Sequence, residues 1–370
     1  MRVSAGALGA ALAHKAASAP AKTSGEWRNR QPGVAYRRLG RTGYMISEVV
    51  MGGNRITPAN HQHVLLALDM GLNYLDTAPV YGRGASEQGY ALVAKARQRD
   101  SFFLNTKVSL WDINRSRLYR DLFSSLPESE QKKLKHEAQA YIEERRAFEP
   151  DYVCDYFPGQ RGELEGAALA NVMEKKYGRT IDREKNYKRL ILDSIDQSLK
   201  RLGVDCLDVM MCPHGASTGY ELLNYPEIFD AFESLRKAGK ARQLGVSAHN
   251  DSAGVLDAAV KSGHYSVAMV AYNIINHGYV DAALERAHAA EVGVIAMKVA
   301  RPVFSGRGNS GPDDPARVRR IEEAVPGAMK RPVKAYLWAL RNPRLSAVIS
   351  EMENAEMTRD NVALAKEKSA

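Results

Sequence analysis

Asp76, Tyr81 and Lys107 are three residue types that could together move a proton onto a carbonyl oxygen. The phenol of a tyrosine is a weak acid with an ordinary pKa of about 10. A neighbouring lysine ammonium favours the phenolate and lowers that pKa, and a carboxylate keeps the lysine charged. The phenol could then donate its proton while a hydride arrives at the carbonyl carbon. Taken singly, the three residues are more typical of a turn, of loop packing and of a solvated surface.

Asp76 and Lys107 each lie near the end of a predicted strand. Asp76 lies near the end of one short apolar run and Lys107 near the end of the next, and eight such runs alternate with amphipathic stretches. The apolar runs, which we interpret as strands, are Glu48–Met51, Asn73–Thr77, Phe102–Val108, Cys206–Cys212, Gln243–Val246, Val267–Tyr272, Val294–Lys298 and Ser346–Ile349. The predicted helices between them cover residues 60–70, 86–97, 184–202, 226–239, 251–262, 280–291, 331–341 and a last stretch from about 355.

Alternating strands and helices indicate parallel strands joined by crossover helices. Eight units over roughly 250 residues, without the longest connection, have the size of a (β/α)8 TIM barrel, and a doubly wound open sheet is the alternative. In a barrel, polar side chains at the carboxyl ends of strands point into one site, so Asp76, Tyr81 and Lys107 are predicted to converge. The segment Arg38–Ser47, with glycines at its turn, predicts a small N-terminal hairpin.

The connection after the third strand is longer than the others. Residues 110–180 form a polar insertion with several aromatic residues, and its middle, residues 127–148, is typical of a charged helix. A connection of this length is usually functional, and in a barrel it would cover the face where active sites are built. We therefore predict a lid within a barrel of residues 35–367, and we expect most of its aromatic residues to form a core of their own. Trp111, close after Lys107, is the predicted substrate contact.

The composition excludes several classes of protein. The 370 residues are 45% hydrophobic and 26% charged, as in a globular protein, and no apolar run is long enough for a membrane-spanning helix. The net charge of +9 comes from basic residues interleaved with acidic ones, which does not indicate a nucleic-acid partner. The three cysteines have no zinc spacing, so no metal site is predicted. Residues 1–30 are predicted to be a disordered tail or the remnant of an export signal, which leaves cytoplasm and periplasm as alternatives.

Several longer segments resemble the aldo/keto reductase superfamily. They cover residues 35–367 apart from the insertion and read LGRTGYMISEVVMGGN, ALDMGLNYLDTAPVYGRGASEQGYAL, LNTKV, SIDQSLKRLGVDCLDVMM, LGVSAHN, AYNIIN, GVIAMKV and ISEMENAEMTRDNVALA. The resemblance implies an NAD(P)H-dependent oxidoreductase that reduces a carbonyl or oxidises an alcohol. It also implies Asp76 as the orienting carboxylate, Tyr81 as the proton donor and Lys107 as the lysine that tunes it. The size of the predicted lid favours a sugar-like substrate.

The chain departs from that superfamily at the histidine of the fourth strand. The superfamily has a histidine five positions after an aspartate, but here the fifth position after Asp208 is Pro213, and the histidine is His214. A shift of one residue turns a side chain to the other face of a strand unless a bulge corrects its direction. We predict His214 as the fourth catalytic residue and His249, a competing polar group on the same face, as a substrate contact.

The residues that should hold a nicotinamide carboxamide also differ. Where the superfamily has a Ser-Asn pair after strand five and a Gln on strand six, this chain has Ser247 followed by Ala248, and Met269. Asn250 and Asn273 are predicted to substitute for the missing amides.

The last strand and helix bear on the choice of cofactor. The predicted cofactor-binding residues here are Lys298, Ser350, Glu351 and Asn361. The resemblance puts Glu351 and Met357 where NADP-preferring members have a basic residue and an arginine. Glu351 would repel a 2′-phosphate and suit ribose hydroxyls, so a preference for NAD(H) over NADP(H) is expected, with Arg359 close enough to oppose it.

The run Gly306–Gly311 matches the pattern G-x-G-x-x-G, but it does not directly follow a strand and prolines interrupt it before any helix. The context of a dinucleotide fingerprint is therefore missing, and we interpret the run as a loop. A contact of Gly306 and Arg307 with the cofactor pyrophosphate remains a weaker prediction.

Two other functions stay open at the level of sequence. One is the same barrel with isomerase or lyase chemistry, and the other is a catalytically inactive binding or accessory protein. The intact trio of Asp76, Tyr81 and Lys107 disfavours a catalytically inactive protein, whereas the altered cofactor contacts favour one. The oligomeric state is not predicted.

Overall fold

The chain folds as a closed barrel of eight parallel strands surrounded by helices. The computed structural model describes residues 25–304 and 313–367. The barrel strands are β4 (Val49–Gly52), β5 (Tyr74–Asp76), β6 (Phe103–Lys107), β7 (Leu207–His214), β8 (Ala241–Ala248), β9 (Val267–Ala271), β10 (Gly293–Met297) and β11 (Ala347–Glu351). They follow one another around the barrel in chain order, and β11 closes it by pairing with β4. The predicted (β/α)8 barrel is confirmed, and the open-sheet alternative is wrong.

Helices fill each connection between the strands. All eight predicted helices are present, as is the helix predicted within residues 127–148. The helices that begin at Ser109, Gln160, Tyr220, Arg301 and Pro315 were not predicted from the sequence. The helices are α1 (Gln62–Asp69), α2 (Ala85–Ala96), α3 (Ser109–Ser124), α4 (Glu128–Glu144), α5 (Gln160–Tyr177), α6 (Leu190–Leu202), α7 (Tyr220–Leu223), α8 (Pro226–Lys237), α9 (Ser252–Ser262), α10 (His277–Ala289), α11 (Arg301–Phe304), α12 (Pro315–Ala324), α13 (Arg331–Leu340) and α14 (Ala355–Glu367).

Alternation along each strand separates the inside of the barrel from the helix layer. On β6, Phe103 packs in the barrel interior, whereas Leu104 packs outward among the helices. The interior is filled by hydrophobic side chains from every barrel strand except β8, together with Leu39 and Tyr44 from the N-terminal segment. Because interior-facing positions alternate along a strand, the interior-facing residue that follows the last packed layer lies at the carboxyl-end face of the barrel.

A small N-terminal sheet covers the amino end of the barrel. The predicted hairpin is formed by β2 (Tyr36–Arg38) and β3 (Tyr44–Ser47), which pair antiparallel. The strand β1 (Glu26–Trp27) adds to β3, so this part of the predicted disordered tail belongs to a sheet because its backbone pairs with Tyr44 and Met45. Residues 1–24 lie outside the described residues.

A charged cluster of one aspartate, Asp208, and three arginines lies beneath this sheet, and we call it the Asp208 cluster. The buried Asp208 side chain contacts Arg28 at 2.9 Å and Arg99 at 2.7 Å, and Arg242 approaches to 3.6 Å. It also accepts a hydrogen bond from the backbone N–H of Leu104 at 2.9 Å. Charged groups therefore join β6, β7 and β8 to the N-terminal segment at the end opposite to the strand carboxyl ends.

The insertion after β6 consists of α3, α4, α5 and the segment between α4 and α5. It has a core of its own, made of Tyr119, Phe123, Leu134, Ala138, Ile142, Tyr152, Leu164, Ala168 and neighbouring residues. Trp111, Tyr156 and Phe157 pack instead with the core between the barrel and its helices, so the expectation that most of the aromatic residues belong to the insertion's own core is wrong for these three. Arg145 forms two hydrogen bonds with the buried Asp251 carboxylate after β8, at 2.7 and 2.9 Å, and the Tyr152 hydroxyl donates to the same carboxylate. Asn273, after β9, donates to the Tyr156 hydroxyl at 2.7 Å. The insertion therefore lies over the carboxyl ends of β8 and β9.

In the described ranges 25–304 and 313–367, no helix is both long and apolar enough to cross a membrane.

Candidate active site

Lys107 is the centre of a buried hydrogen-bond group at the carboxyl ends of β5 and β6. Its ammonium donates to the Asp76 carboxylate at 2.6 Å, to the Thr77 carbonyl at 2.9 Å and to the Tyr81 hydroxyl at 3.2 Å. A lysine ammonium has three protons, so these three acceptors use all of them. The structure brings Asp76, Tyr81 and Lys107 together, and the phenolic proton of Tyr81 is left for another partner.

Glycines allow the backbone approaches that hold this group. A Cβ on Gly53, after β4, would lie 2.2 Å from the carbonyl oxygen of Asp76, so only glycine fits there. Gly82 and Gly84 have φ values of +56° and +94°, and they turn the chain sharply after Tyr81. Glycine adopts this left-handed region without the steric cost that a Cβ would add.

Burial controls the protonation of the trio. Desolvation raises the pKa of Tyr81 well above its ordinary value, and the negative charges of Asp76 and Glu351 raise it further. Desolvation also lowers the pKa of Lys107, against the opposing charge of Asp76. The pKa of Tyr81 is therefore raised, and not lowered as the sequence suggested, because desolvation and the two carboxylates disfavour the phenolate. At neutral pH the Tyr81 hydroxyl keeps its proton.

An irregularity in β7 turns His214 to the same site. The pairing of β7 with β8 shifts register between Met211 and His214, and His214 then pairs with Ser247. The ring of His214 lies edge-on to the ring of Tyr81, with centroids 5.9 Å apart. The extra residue in the strand thus compensates for the shift of one position seen in the sequence.

Two side chains of α3 hold His214. The Ser109 hydroxyl forms a short hydrogen bond with Nδ1 of the ring, and the Asp112 carboxylate accepts the backbone N–H of His214 at 2.9 Å. Desolvation, followed by the charge of Lys107, lowers the pKa of His214 well below its ordinary value, so the ring is neutral. When the Ser109 hydroxyl donates to Nδ1, the ring proton lies on Nε2, on the side away from Ser109. Sequence reasoning did not identify Ser109 or Asp112, although both closely follow Lys107.

A cavity of about 310 Å³ extends from this group across the barrel face to α13 and α14. Asp76 and Tyr81 line one end of it, and the lining at the other end includes Glu351 and Asn361. Of the predicted cofactor residues, Lys298, Glu351 and Asn361 line the cavity, and Ser350 lies just behind it, accepting a hydrogen bond from Asn361 at 2.9 Å. Sequence reasoning missed further lining residues, including Asn54, Arg55, Arg301, Phe304, Lys330, Tyr336, Glu353 and Asp360.

The other predicted carboxamide ligands do not line the cavity. Asn250 is buried and donates to the Ser217 hydroxyl at 2.8 Å. Asn273 is fully buried, and its side-chain oxygen accepts the backbone N–H groups of Ile275 and Asn276. Ser247 is also buried, and its hydroxyl accepts from Gly215 at 3.2 Å. These side chains are buried within the barrel loops and hydrogen-bonded there, apart from the Asn250 side-chain oxygen, which has no hydrogen-bond partner among the described residues. Because they are turned away from the cavity, they do not replace the missing amides.

Trp111 is not brought to the cavity either. Its side chain is completely buried, and its ring packs edge-on against Tyr225 with centroids 4.8 Å apart. It joins α3 to the core beneath the insertion, because a helix starting at Ser109 turns residue 111 inward. The predicted substrate contact at Trp111 is therefore replaced by a packing role.

His249 does line the cavity, directly after β8. Its ring packs edge-on against Phe157 of the insertion, with centroids 5.4 Å apart. Desolvation, followed by the charges of Lys298 and Lys107, lowers the pKa of His249 well below its ordinary value, so this ring is neutral too. The Gly306–Gly311 loop lies outside the described residues.

Comparison with known proteins identifies the class. A closed (β/α)8 barrel with an Asp–Tyr–Lys–His group at its carboxyl ends fits a barrel oxidoreductase, and the family model "Aldo/keto reductase family" matches residues 50–145 and 172–369. The chain belongs to the aldo/keto reductase family and is an oxidoreductase. The unmatched residues between the two ranges fall inside the insertion.

Solved structures show the same fold at low sequence identity. Aldo-keto reductase AKR11C1 from Bacillus halodurans, in its holo form, is 18% identical with a TM-score of 0.58, and the match covers 91% of this chain and 96% of that one. An aldo-keto reductase from Klebsiella pneumoniae in complex with NADPH is also 18% identical, with a TM-score of 0.55 and coverage of 90% and 89%.

Proposed function

We propose that this protein transfers a hydride between NAD(P)H and a carbonyl or alcohol substrate, with Tyr81 as the proton donor or acceptor. The observation that carries the proposal is the position of the Tyr81 hydroxyl, 3.2 Å from the Lys107 ammonium and at one end of a deep cavity. The Tyr81 oxygen already accepts a hydrogen bond from Lys107, so its own proton is free to be donated to a substrate oxygen.

The charges of the cavity fit a dinucleotide. Within the described part of the chain, the Lys298 ammonium has no ion-pair partner, although it lines the cavity and its backbone has a φ of +56°. A non-glycine residue in this region costs about 1–3 kcal/mol, and such strain is concentrated at functional sites. Lys298 and Arg301 would hold the negative pyrophosphate, and Asn361 would hydrogen-bond the adenosine end. When bound, the nicotinamide supplies or accepts the hydride.

The residues around the reacting oxygen have distinct roles. Tyr81 donates its proton to the substrate oxygen as negative charge develops there, and His214 donates a second hydrogen bond from Nε2 to the same oxygen. The Lys107 ammonium stabilises the phenolate that Tyr81 becomes, and Asp76 keeps that ammonium in place. In the oxidative direction the same groups act in reverse.

NAD(H) is the proposed preferred cofactor. Glu351 lines the cavity after β11, where its carboxylate would repel a 2′-phosphate and accept hydrogen bonds from ribose hydroxyls. The exposed lining residue Lys330 already contacts Glu356 at 2.9 Å and Asp360 at 2.6 Å, so its charge is engaged. Dissociation constants measured for NADH and NADPH test this preference, and tighter binding of NADPH would contradict it.

A sugar-like substrate is proposed from the insertion. Its segment between α4 and α5 lies over the carboxyl ends of β8 and β9, and Gln160 donates to the His249 carbonyl at 3.3 Å. A lid that covers this side encloses a substrate larger than a simple aldehyde. Comparing kcat/KM for aldoses with kcat/KM for short aliphatic aldehydes tests the proposal, and higher values for the short aldehydes would contradict it.

The central experiment separates cofactor binding from chemistry. NADH or NADPH should raise the thermal stability of the protein, because a ligand that binds only the folded state stabilises it. Tyr81→Phe should reduce turnover by at least about 100-fold, the usual contribution of general acid catalysis, and leave the cofactor dissociation constant unchanged. If neither cofactor shifts the melting temperature, non-redox chemistry or a binding role becomes the better description. If Tyr81→Phe keeps its activity, another group donates the proton.

A further inference from the structure

His249 is the polar side chain that faces the cavity from the β8 and β9 side. Those two strands and the loops that follow them give the cavity two side chains, His249 and Met269. Met269 offers a thioether, which is a weak hydrogen-bond acceptor and no donor. A planar ring bound beside Tyr81 in this cavity can therefore form a strong hydrogen bond with one side chain on this wall, that of His249.

We propose that the imidazole of His249 binds the carboxamide of the nicotinamide ring and so fixes which face of that ring is turned toward the substrate. This assignment rests on the proposed function, because it requires a nicotinamide cofactor. It gives His249 a cofactor role in place of the substrate contact predicted from the sequence.

The competing polar groups of these two strands and their loops do not line the cavity, and each forms at least one hydrogen bond elsewhere. Ser247, Asn250 and Asn273 are at most 2% exposed. Their hydrogen bonds join backbone and side chains within the barrel loops and to the insertion. Among the described residues, by contrast, none forms a hydrogen bond with either ring nitrogen of His249. A group left free at the cavity wall is available to a ligand without the loss of an existing contact.

The chemistry of a neutral imidazole matches that of a primary amide. The neutral ring has one N–H donor and one nitrogen acceptor, and a carboxamide has one oxygen acceptor and two N–H donors. Desolvation, followed by the charges of Lys298 and Lys107, lowers the pKa of His249, so the acceptor nitrogen is retained at neutral pH. The Phe157 ring packs edge-on against the imidazole and limits its rotation. Phe157 is thus a positioning residue contributed by the insertion.

The test compares two ligands that differ only in the nicotinamide. ADP-ribose lacks that ring and retains the rest of NADH, so its dissociation constant reports the remainder of the cavity. His249→Phe keeps a ring against Phe157 and removes both hydrogen bonds. We expect the dissociation constant for NADH to rise about 3- to 10-fold, which is the usual effect of losing one or two neutral hydrogen bonds, and that for ADP-ribose to stay unchanged. NADPH and 2′-phospho-ADP-ribose form the equivalent pair if the protein prefers NADPH.

Two further variants complete the design. His249→Gln restores a donor and an acceptor and should bind NADH more tightly than His249→Phe does. His264→Ala removes a histidine that stacks on Phe229 away from the cavity, and it should bind both ligands as the unaltered protein does.

Three results would overturn the assignment. The first is unchanged NADH affinity in His249→Phe together with a raised KM for the carbonyl substrate, which makes His249 a substrate residue. The second is an equal loss of affinity for NADH and ADP-ribose, which means that the substitution deforms the cavity. The third is an unaltered protein that binds none of the four ligands, and in that case the proposed function itself fails.

Discussion

At the scale of single residues, burial decides which proton can move. The Tyr81 hydroxyl keeps its proton because solvent is excluded and Asp76 lies nearby. A phenol of this kind is a donor only when a substrate oxygen becomes basic enough to take the proton, which occurs as hydride reaches the carbonyl carbon. The ammonium of Lys107 stands beside the oxygen that would then become negative. The site is arranged to stabilise the charge that forms during the reaction, and this charge is absent from the resting protein.

The pH profile follows from the directions of these pKa shifts. The pKa of Tyr81 is raised and the pKa values of His214 and His249 are lowered, so all three are in their neutral forms from about pH 6 to pH 9. We expect kcat/KM for carbonyl reduction to be flat across that range. Alcohol oxidation should become faster toward high pH, because Tyr81 must first lose its proton. Steady-state rates in both directions measure this, and a break near pH 6.5 in the reductive direction would show that a histidine is protonated there.

Ser109 positions His214, and removing its hydroxyl should therefore affect the chemical step. Ser109→Ala frees Nδ1 and permits the other tautomer, in which Nε2 carries no proton to donate. We expect kcat to fall about tenfold, the effect of losing one hydrogen bond of about 1.4 kcal/mol, with an unchanged dissociation constant for the cofactor. Ser109→Thr keeps the hydroxyl and should retain most of the activity. The ¹⁵N shifts of the His214 ring report the tautomer directly, and identical shifts in the unaltered protein and Ser109→Ala would contradict this role.

The convergence of Asp76, Tyr81 and Lys107 could be predicted from the sequence because each residue ends a recognisable strand or follows one. Asp76 and Lys107 close apolar runs, and a barrel brings such ends together. The direction of the Tyr81 pKa could not be predicted, since it depends on how much solvent reaches the phenol. Asn250 and Asn273 have a suitable residue type and position, but the Asn250 amide donates to the Ser217 hydroxyl and the Asn273 amide oxygen accepts a backbone N–H. No local pattern in the sequence reports that use.

At the scale of elements, the insertion is attached to the barrel through the buried carboxylate of Asp251. This residue is also the N-cap of α9, where its side chain accepts the backbone N–H of Gly254 at 2.9 Å. One carboxylate thus serves both the start of a barrel helix and the docking of Arg145 and Tyr152. The sequence predicts the insertion from its length and composition, but it does not show which barrel loop the insertion contacts.

Substitutions at Asp251 should separate its two functions. Asp251→Asn keeps an oxygen that can cap α9 but removes the negative charge opposite Arg145. We expect faster amide hydrogen exchange in α4 and the following segment, with exchange in α9 unchanged. Asp251→Ala should additionally speed exchange in the first turn of α9, since losing an N-cap costs about 1 kcal/mol. Hydrogen-exchange mass spectrometry resolves the two regions, and equal loosening of α9 in both variants would contradict the separation.

At the scale of the whole molecule, the two ends of the barrel divide stability from function. The Asp208 cluster lies at the amino end, and the candidate active site lies at the carboxyl end. In barrels of this architecture, residues at the amino end contribute to stability, and those at the carboxyl end carry the chemistry. The (β/α)8 fold itself could be predicted because eight periodic units leave few alternative arrangements.

Asp208→Ala should therefore destabilise the fold and leave the cofactor site intact. The substitution leaves the almost fully buried Arg28 guanidinium without one of its carboxylate partners, and breaking a buried ion pair costs about 3–5 kcal/mol. We expect a lower urea midpoint with an unchanged NADH dissociation constant. Asp69→Ala, which breaks the exposed pair with Arg97, is the matched control and should cost about 0–1 kcal/mol. A large loss of cofactor affinity in Asp208→Ala would show that the two ends are coupled.

The register shift in β7 means that the number of residues along the strand does not by itself determine where the His214 side chain points. Because the strand absorbs an extra residue between Met211 and His214, the histidine reaches Tyr81 even though Pro213, and not a histidine, is the fifth residue after Asp208. A strand with this property tolerates a gain or loss of chain length beside a functional group, provided that the bulge takes up the difference. Insertions and deletions close to such a site are then compatible with an unchanged arrangement of its reacting groups.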